Sequence, residues 1–480
     1  MAELVLAIDV GSSAVRAALV DPTGRVLASQ RQSRPDSLSG ITFDAALLWD
    51  QVKDAVTALP VDLRRSAVGL AIAGHIGTVF TDEDFEPVAH GLGWADTSGV
   101  DLLAQGLGAS TSAALSTIGR AALTGGPAAA ALALRQRGMG GFAQVRRILS
   151  PKDYLIGRLT GVAITDHTSA AYFGLSDVRE RAWSAWLLDA LDIDAALLPQ
   201  QVTSTAIVGT LSSAVAASLG LPEALTVIAG GPDGSMGAAY VLAGRGNAIA
   251  DVAGTTDVLV RPVASPDGAP AEAMLNPYIL GGWAAGGATG MTGGALNRWA
   301  VLLGETDAAS ALARFGDDLA TLGPGADGLI VRPTLSGSRF PRWNPTEVGL
   351  VAGQLDSHGP AHFLRAVVEG ASYVVREGVD LLAPDSGVEV VLAGGAARSP
   401  LLAQLRADVL GRAVRVCAEP DVSLMGAALI AMVGSGIHST AEEAANAMDE
   451  GWTVLEPDAA AAARYDDLFG QWRLATTPAG

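Results

Sequence analysis

Three carboxylates in this sequence stand next to turns made of glycine, serine and threonine. They are Asp9 before Gly11, Ser12 and Ser13, Asp251 before Gly254, Thr255 and Thr256, and Asp233 inside GGPDG at 230–234. Backbone N–H groups and hydroxyls in such turns can hold phosphates, and a carboxylate within hydrogen-bond reach can take the proton of an alcohol. The set favours phosphoryl transfer to a hydroxyl, in which catalysis is mostly positioning and charge stabilisation.

Motifs of other chemistries are missing or misplaced. The sequence contains no Gly-Lys pair and therefore no Walker A loop, and neither H-E-x-x-H nor G-x-S-x-G occurs. GPGADG at 323–328 has the spacing of a dinucleotide fingerprint. It precedes an apolar run instead of following a strand, which predicts a plain loop. The single cysteine, Cys417, excludes an internal disulfide and a cysteine-based metal site.

Composition limits the partners of the chain. Its 480 residues, 49% hydrophobic and 17% charged, are typical of a globular protein with two or three domains. The formal net charge of −19 disfavours nucleic acid and anionic membranes as partners. The glycine-rich stretch 273–297 is interpreted as a loop region and not as a membrane span. We expect a cytoplasmic protein without a signal peptide. The formation of a homodimer is an open alternative.

The elements that must position the carboxylates begin with a β-meander. The apolar run at 4–9 predicts a buried strand, and the segments 14–21 and 25–30, which follow after short turns, predict a second and a third strand. A helix is predicted over 43–59 and a further buried strand over 67–74. This order of elements indicates an α/β fold.

A second copy of the first hairpin lies about half a chain further on. AIADVAGTTDVLV at 248–260 aligns with LAIDVGSSAVRAALV at 6–20, so that the two strand-end aspartates coincide. This repeat predicts a duplicated α/β core with a boundary near residue 245. Later, an apolar strand at 388–393 runs through two glycines into a helix over 400–410, between an N-cap serine and a C-cap glycine.

Several segments, taken in order, resemble the FGGY carbohydrate kinases, and most closely their xylulokinase-like branch. They are IDVGSS (8–13), GWADTSG (93–99), SPKDYLIGRLTG (150–161), TDHTSAAYFGLSDV (165–178), GGPDGSMGAA (230–239), ADVAGTTDV (250–258), GADGLIVRPTLSGSRFPRWNP (325–345) and LAGGAARSPLLAQLRADVLGR (392–412). The resemblance implies two ribonuclease-H-like lobes of the actin and sugar kinase superfamily, with substrates in a central cleft. It implies that residues 1–245 form an N-terminal lobe with the acceptor site and the base. Residues 246–480 would form a C-terminal lobe that binds the nucleotide.

The resemblance also implies an activity, an ATP- and Mg²⁺-dependent sugar or polyol kinase, and roles for single residues. Asp233 would be the general base and contact the acceptor, and Asp9 would help to hold Mg²⁺ through waters. The other implied acceptor contacts are His75, Trp94 and Asp96. The implied nucleotide and phosphate contacts are Gly11, Ser12, Ser13, Gly254, Thr255, Thr256, Gly293, Gly294, Gly394, Gly395 and Ala396. Plainer interpretations are an N-cap for Asp233, a strand-end hydrogen bond for Asp9, a surface loop for Asp96 and packing turns for the glycines.

The chain departs from the family pattern at positions that bear on the acceptor and the phosphates. GHIGT at 74–78 is one residue shorter than the family's Gln-Met-His-Gly run, Ala95 replaces an asparagine, and Ser338 replaces a glutamate. Asp257 stands where a glycine is usual, and its carboxylate would repel phosphates unless it points away or helps to bind the metal.

These departures keep several alternatives open. A xylulose-like ketose is the expected acceptor, but a different ketose, a polyol or a signalling furanone would use the same chemistry. A non-catalytic sensor of sugar or nucleotide with the same fold is another alternative. A nicotinamide-dependent dehydrogenase is the remote third, because a correctly placed fingerprint is missing.

Overall fold

A computed structural model describes residues 3–35, 40–136, 142–290, 292–335, 337–385, 387–448 and 451–476. The strands in these ranges are β1 Leu4–Val10, β2 Ala14–Val20, β3 Val26–Ser33, β4 Thr42–Phe43, β5 Ala67–Gly74, β6 Gly77–Thr81, β7 Gly91–Gly93, β8 Arg147–Leu149, β9 Ile164–Asp166, β10 Ser176–Asp177, β11 Ala182–Trp183, β12 Gln200–Val202, β13 Ile207–Thr210, β14 Thr226–Pro232, β15 Ala248–Ala253, β16 Asp257–Val263, β17 Met274–Pro277, β18 Trp283–Ala288, β19 Ile330–Arg332, β20 Leu350–Ala352, β21 Glu389–Gly394, β22 Val414–Cys417 and β23 Trp452–Leu455. The α-helices are α1 Ala45–Thr57, α2 Val61–Arg64, α3 Val100–Leu107, α4 Thr111–Thr117, α5 Pro127–Gln136, α6 Pro151–Thr160, α7 His167–Ala170, α8 Ala185–Leu191, α9 Ser213–Leu219, α10 Asp233–Leu242, α11 Thr292–Leu302, α12 Ala308–Thr321, α13 Pro360–Leu382, α14 Pro400–Leu410, α15 Val422–Gly434, α16 Ala441–Ala447 and α17 Ala459–Thr476.

The first large sheet has six strands in the order β13-β14-β5-β1-β2-β3. β1 and β14 each pair in parallel with β5, whereas β1, β2 and β3 form the predicted antiparallel meander. Asp9 lies opposite Ala73, and Gly74 lies opposite Pro232. The carboxyl ends of the three parallel strands therefore meet at one edge of this sheet.

The second large sheet repeats this plan, which confirms the predicted duplication. Its seven strands run β17-β18-β16-β15-β21-β22-β23. β15 and β16 form the second hairpin, and β15, β21 and β22 are parallel neighbours. The predicted helix over 400–410 is α14, which Ser399 caps through a hydrogen bond from Leu402 N, and Gly411 ends it with a φ of 60°.

Two helices fill the space between the sheets. α10 follows β14 of the first sheet and packs on β15 of the second, while α15 packs on β1 and β5 of the first. Met236 of α10 and Ala427 of α15 belong to one buried apolar cluster with Val5 and Val391. Helices contributed by both halves of the chain thus join the two sheets in a common core.

The interpretation of 273–297 as a loop region is wrong. The stretch contains β17, β18 and the start of α11. β18 lies between β17 and β16, and a Cβ at Gly286 would come 1.9 Å from the carbonyl oxygen of Leu259 on β16. The glycines thus allow the strands to approach closely. Composition alone cannot distinguish a glycine-rich strand of this kind from a glycine-rich loop.

Two further expectations concern the loop at 323–328 and membrane spans. The segment 323–328 holds only a short 3₁₀ turn at Ala326–Gly328 before β19, as its context predicted. Within the described ranges, no helix has the length and apolar character needed to cross a bilayer.

Candidate active site

The carboxyl edge of the first sheet brings three of the predicted site residues together. Asp9 lies in β1, one residue before its end, His75 directly follows β5, and Asp233 directly follows β14. The backbone N–H of His75 donates to the carbonyl of Val10 at 2.9 Å, which ties the end of β5 to that of β1. Because the three strands are parallel neighbours, these side chains share one edge although the chain separates them by up to 224 positions (233 − 9).

Asp9 is a buried carboxylate with one satisfied oxygen. Oδ2 accepts a hydrogen bond from Arg16 Nη1 at 2.9 Å, and Oδ1 has no partner among the described residues. Arg16 also binds the carboxylate of Asp421 at 3.1 Å. Burial and the nearby charge of Asp233 raise the pKa of Asp9 to about 7, against the lowering effect of Arg16. An oxygen that is buried and unpaired is free to take a ligand.

Asp233 begins α10 and is half-buried. Pro232 occupies the N-cap position without a side-chain cap, so the N-cap interpretation of Asp233 is wrong, although Oδ1 accepts from Gly234 N at 2.7 Å. Burial raises the pKa of Asp233, and that hydrogen bond opposes the rise. A methyl group added at Gly234 would lie 3.4 Å from Val258 of β16. The start of α10 therefore lies against β16, the second strand of the second hairpin.

A small, partly open cleft lies beside these residues. Its lining includes His75, Gly77, Lys152, Tyr172 and Pro232. Nδ1 of His75 is 3.1 Å from the carbonyl oxygen of Ile76. A carbonyl only accepts, so Nδ1 must carry the proton, and Nε2 is a bare acceptor that is buried and has no partner among the residues that the structure describes. Burial, with the nearby charge of Arg34, lowers the pKa of His75 to about 4, which keeps the ring neutral at physiological pH.

Lys152 is a cleft residue that the sequence interpretation missed. It is 1% exposed, and its Nζ lies 2.6 Å from Asp153 Oδ1 and 3.3 Å from Asp166 Oδ1. Burial acts to lower the pKa of Lys152, but the two carboxylates outweigh it and raise that pKa. The signal available in the sequence was that Lys152 is one of two lysines in the chain.

Neither Trp94 nor Asp96 is among the residues that line this cleft. Trp94 directly follows Gly93, which pairs with Gly77 of the cleft wall. The carboxylate of Asp96 accepts from the backbone N–H of Ser98 at 3.4 Å and from its hydroxyl at 3.0 Å. Asp96 is thus held by its own loop, but it is buried, whereas the plainer interpretation placed it on the surface.

The first hairpin, Gly11 to Ser13, closes β1 onto β2 through a hydrogen bond from Gly11 N to Ala14 O at 3.0 Å. Behind it, the fully buried Arg34 donates to the carbonyl of Gly11 at 2.8 Å. The hairpin is therefore braced from the protein interior and leaves Ser13 exposed at the sheet edge.

Three glycine-rich segments meet at the matching edge of the second sheet. Gly294 N donates to Thr255 O at 2.9 Å, and Gly395 N donates to Ala253 O at 2.6 Å. Gly394 has a φ of 83°, and a Cβ there would lie 2.4 Å from Ala253 O, so only glycine fits. The segments predicted to hold phosphates and nucleotide, 254–256, 293–294 and 394–396, thus lie side by side and present small residues.

Asp257 is paired with a buried arginine. Its Oδ2 accepts from Arg406 Nη2 at 3.0 Å, and the same guanidinium binds Asp251 through Nη1. All three side chains are buried. Burial raises the pKa of Asp251, which the guanidinium opposes and the Asp257 charge reinforces. The additional carboxylate in the hairpin is therefore part of a buried ion cluster with Arg406 and Asp251.

The carboxylates of the first sheet fit a hydrated Mg²⁺. This cation keeps several waters and is commonly bound through one or two carboxylates together with substrate phosphates. Asp9 offers a buried, unpaired Oδ1, and Asp233 is near enough to raise its pKa. Among the described residues, no group of three acidic, histidine or cysteine side chains could hold a metal ion by itself.

We expect Asp9→Asn to unfold at a higher temperature than wild type at pH 8 and at nearly the same temperature at about pH 4. The folded protein keeps a proton on Asp9 up to about pH 7, whereas the unfolded chain loses it near 3.8, so this group destabilises the fold as pH rises through that window. The full shift corresponds to about 4 kcal/mol at most. Calorimetry at both pH values measures it. A variant less stable than wild type at pH 8 would show that the Arg16 ion pair outweighs burial.

Comparisons with known proteins agree with this architecture. A xylulose kinase of Klebsiella pneumoniae is 30% identical over 453 residues, covering 92% of this chain and 91% of its own. A xylulose kinase of Lactococcus lactis subsp. lactis (strain IL1403) is 26% identical over 491 residues, covering 98% and 95%. The crystal structure of a gluconate kinase from Lactobacillus acidophilus superposes with a TM-score of 0.87 at 24% identity, covering 99% and 98%.

Family models decide the assignment. The N-terminal domain of the FGGY family of carbohydrate kinases matches residues 4–239, and the C-terminal domain matches residues 250–435. Together they cover most of the chain, and the two-sheet α/β fold is that of FGGY sugar kinase structures. The chain belongs to the FGGY family of carbohydrate kinases, and its activity is that of a phosphotransferase acting on a sugar or related alcohol.

Proposed function

We propose that this protein transfers the γ-phosphoryl group of ATP to a hydroxyl of a small sugar or polyol, with a xylulose-like ketose as the acceptor. One observation carries the proposal. The half-buried Asp233 directly follows Pro232 of the cleft wall, and its neighbour Gly234 lies against Val258 of β16, the second strand of the second hairpin. The acceptor assignment is supported by the xylulose kinases among the relatives at 26–30% identity.

Asp233 is the general base in this proposal. It takes the proton of the acceptor hydroxyl while that oxygen bonds to the γ-phosphorus, and the bond to the β,γ-bridging oxygen breaks as ADP leaves. Burial that raises the pKa of Asp233 makes its carboxylate a stronger base than an exposed aspartate. His75 Nε2 accepts a hydrogen bond from a second acceptor hydroxyl, because it is a bare lone pair in the cleft wall.

Backbone groups at the two sheet edges hold the donor. Residues 11–13 and 254–256 approach the phosphates, and the glycine surface at 293–294 and 394–396 receives the nucleoside. Mg²⁺ beside Asp9 would offset phosphate charge. Residues 1–245 then act as the acceptor lobe and 246–480 as the nucleotide lobe, and their closure excludes water as a competing acceptor.

Coupled measurement of ADP release from ATP and Mg²⁺, over a panel of ketoses, polyols and sugar acids, tests the proposal. We expect release that depends on the acceptor, with xylulose giving the highest kcat/KM. A flat response across the panel by protein that binds ATP would contradict the acceptor assignment.

We expect His75→Phe to raise the KM for the acceptor about tenfold, the value of one hydrogen bond of roughly 1–1.5 kcal/mol, and to leave the KM for ATP unchanged. Because the pKa of His75 is about 4, the wild-type KM for the acceptor should not vary between pH 6 and 9 through this residue. Steady-state kinetics at three pH values checks both points. An unchanged KM in the variant would remove His75 from the acceptor site.

A further inference from the structure

Arg339 is anchored in the second half of the chain at the edge of the second sheet. Phe340 next to it is fully buried, and Phe340 N donates to Ala288 O, the last residue of β18, at 3.0 Å. A Cβ at Gly290 would lie 3.7 Å from the backbone nitrogen of Arg339. The backbone at this position is therefore fixed beside the segment that leads into α11.

The side chain of Arg339 crosses to the first half of the chain. Its Cζ lies 5.3 Å from the ring centroid of Trp94, whose neighbour Gly93 pairs with Gly77 of the cleft wall. A Cβ at Gly77 would come 3.4 Å from Cε1 of His75. The guanidinium thus lies next to the wall that carries His75, whereas the backbone of Arg339 belongs to the opposite lobe.

The N–H donors of the Arg339 guanidinium have no acceptor among the described residues. Among the described residues, Arg339 is half-buried and forms no hydrogen bond or ion pair through its side chain, and burial lowers its pKa. Three other cations near the two sheet edges are held by carboxylates: Arg16 by Asp9 and Asp421, Lys152 by Asp153 and Asp166, and Arg406 by Asp251 and Asp257. A planar fork of five N–H groups in such a position calls for oxygen acceptors from a ligand.

We propose that Arg339 is a specificity residue that binds the end of the acceptor remote from the reacting hydroxyl, through adjacent hydroxyl oxygens. This role rests on the proposed function of the cleft. Arg339 would select polyhydroxylated acceptors that are long enough to span from Asp233 to Trp94. A shorter polyol leaves the half-buried donors unpaired, and a site built to hydrogen-bond an oxygen discriminates strongly against a ligand that lacks it.

The test compares Arg339→Met with wild type on xylulose, erythrulose and glycerol. Methionine keeps an apolar stem on the Trp94 ring but has no donors. We expect kcat/KM for xylulose to fall about 10- to 100-fold, the effect for glycerol to stay within threefold, and the KM for ATP to stay within twofold. The matched control is Arg314→Met, because Arg314 also lies over an aromatic ring, Phe315, at 5.2 Å, but is 66% exposed on α12.

Three outcomes would overturn the proposal. Equal losses on all acceptors with a raised KM for ATP would place Arg339 on the donor phosphates. An effect confined to gluconate, added as a fourth acceptor, would mean that it binds a carboxylate, and no effect at all would remove it from the site. Calorimetric titration of the same acceptors separates the two proposals. A wild type that binds xylulose without turnover contradicts the kinase proposal. The ratio of the xylulose dissociation constants of Arg339→Met and wild type still tests the role of Arg339. If wild type binds none of the acceptors, both proposals are wrong.

Discussion

Asp233→Asn is expected to lower acceptor-dependent ADP formation about a thousandfold, within the range of about 10²–10⁴ attributed to a positioned general base. Asparagine has the same shape and can still accept from Gly234 N, but it cannot take a proton. Since burial already disfavours the charged form of Asp233, the neutral variant should fold with an unchanged or slightly higher melting temperature. Coupled ADP release and calorimetry on the same samples measure both effects.

Asp307→Asn is the matched control for this experiment. Asp307 also stands at the start of a helix, α12, where it caps Ser310 N, but it lies on the surface, away from both sheet edges. We expect it to keep wild-type turnover. Near-normal turnover in Asp233→Asn, with the control behaving as expected, would refute the assignment of the base.

Arg406→Met is expected to destabilise the protein by about 3–5 kcal/mol, because it leaves the buried carboxylates of Asp251 and Asp257 without their counter-ion. The second hairpin lies between these two residues, so the nucleotide site should weaken together with the fold. Urea unfolding and the KM for ATP are the measurements.

Two further variants make this prediction specific. Arg415→Met also removes an ion pair of the second sheet, with Glu389, but both side chains are about 30% exposed, so we expect a loss below about 1 kcal/mol. Adding Asp251→Asn and Asp257→Asn to Arg406→Met should recover part of the lost stability by removing the unpaired charges. If the triple variant is less stable than the single one, burial of unpaired charge is not the cause.

The fold was largely predictable because its strongest signals are local. β5 is a continuous apolar run, and β1 and β2 are apolar apart from Asp9 and Arg16. The alignment of Asp251 with Asp9 reflects two hairpins at equivalent positions of two sheets. The helix at 400–410 was predicted with its boundaries, since serine and glycine caps act within one turn of the helix end.

Features that depend on distant partners could not be predicted. The direction of Asp257 is set by Arg406, which lies 149 residues away, and the placement of Lys152 is set by Asp166 across a loop. The strands in 273–297 were missed because glycines chosen for close strand contact have the composition of a loop. The contact between Arg339 and Trp94 joins the two halves of the chain, and neither half carries a sequence pattern that indicates it.

The most direct test of the account is a crystal structure with xylulose, Mg²⁺ and a non-hydrolysable ATP analogue. It should show one acceptor hydroxyl about 2.6–3.2 Å from the Asp233 carboxylate, directed at the terminal phosphate of the analogue held between the two hairpins. A sugar bound elsewhere, or a carboxylate of Asp233 turned away from both ligands, would contradict it.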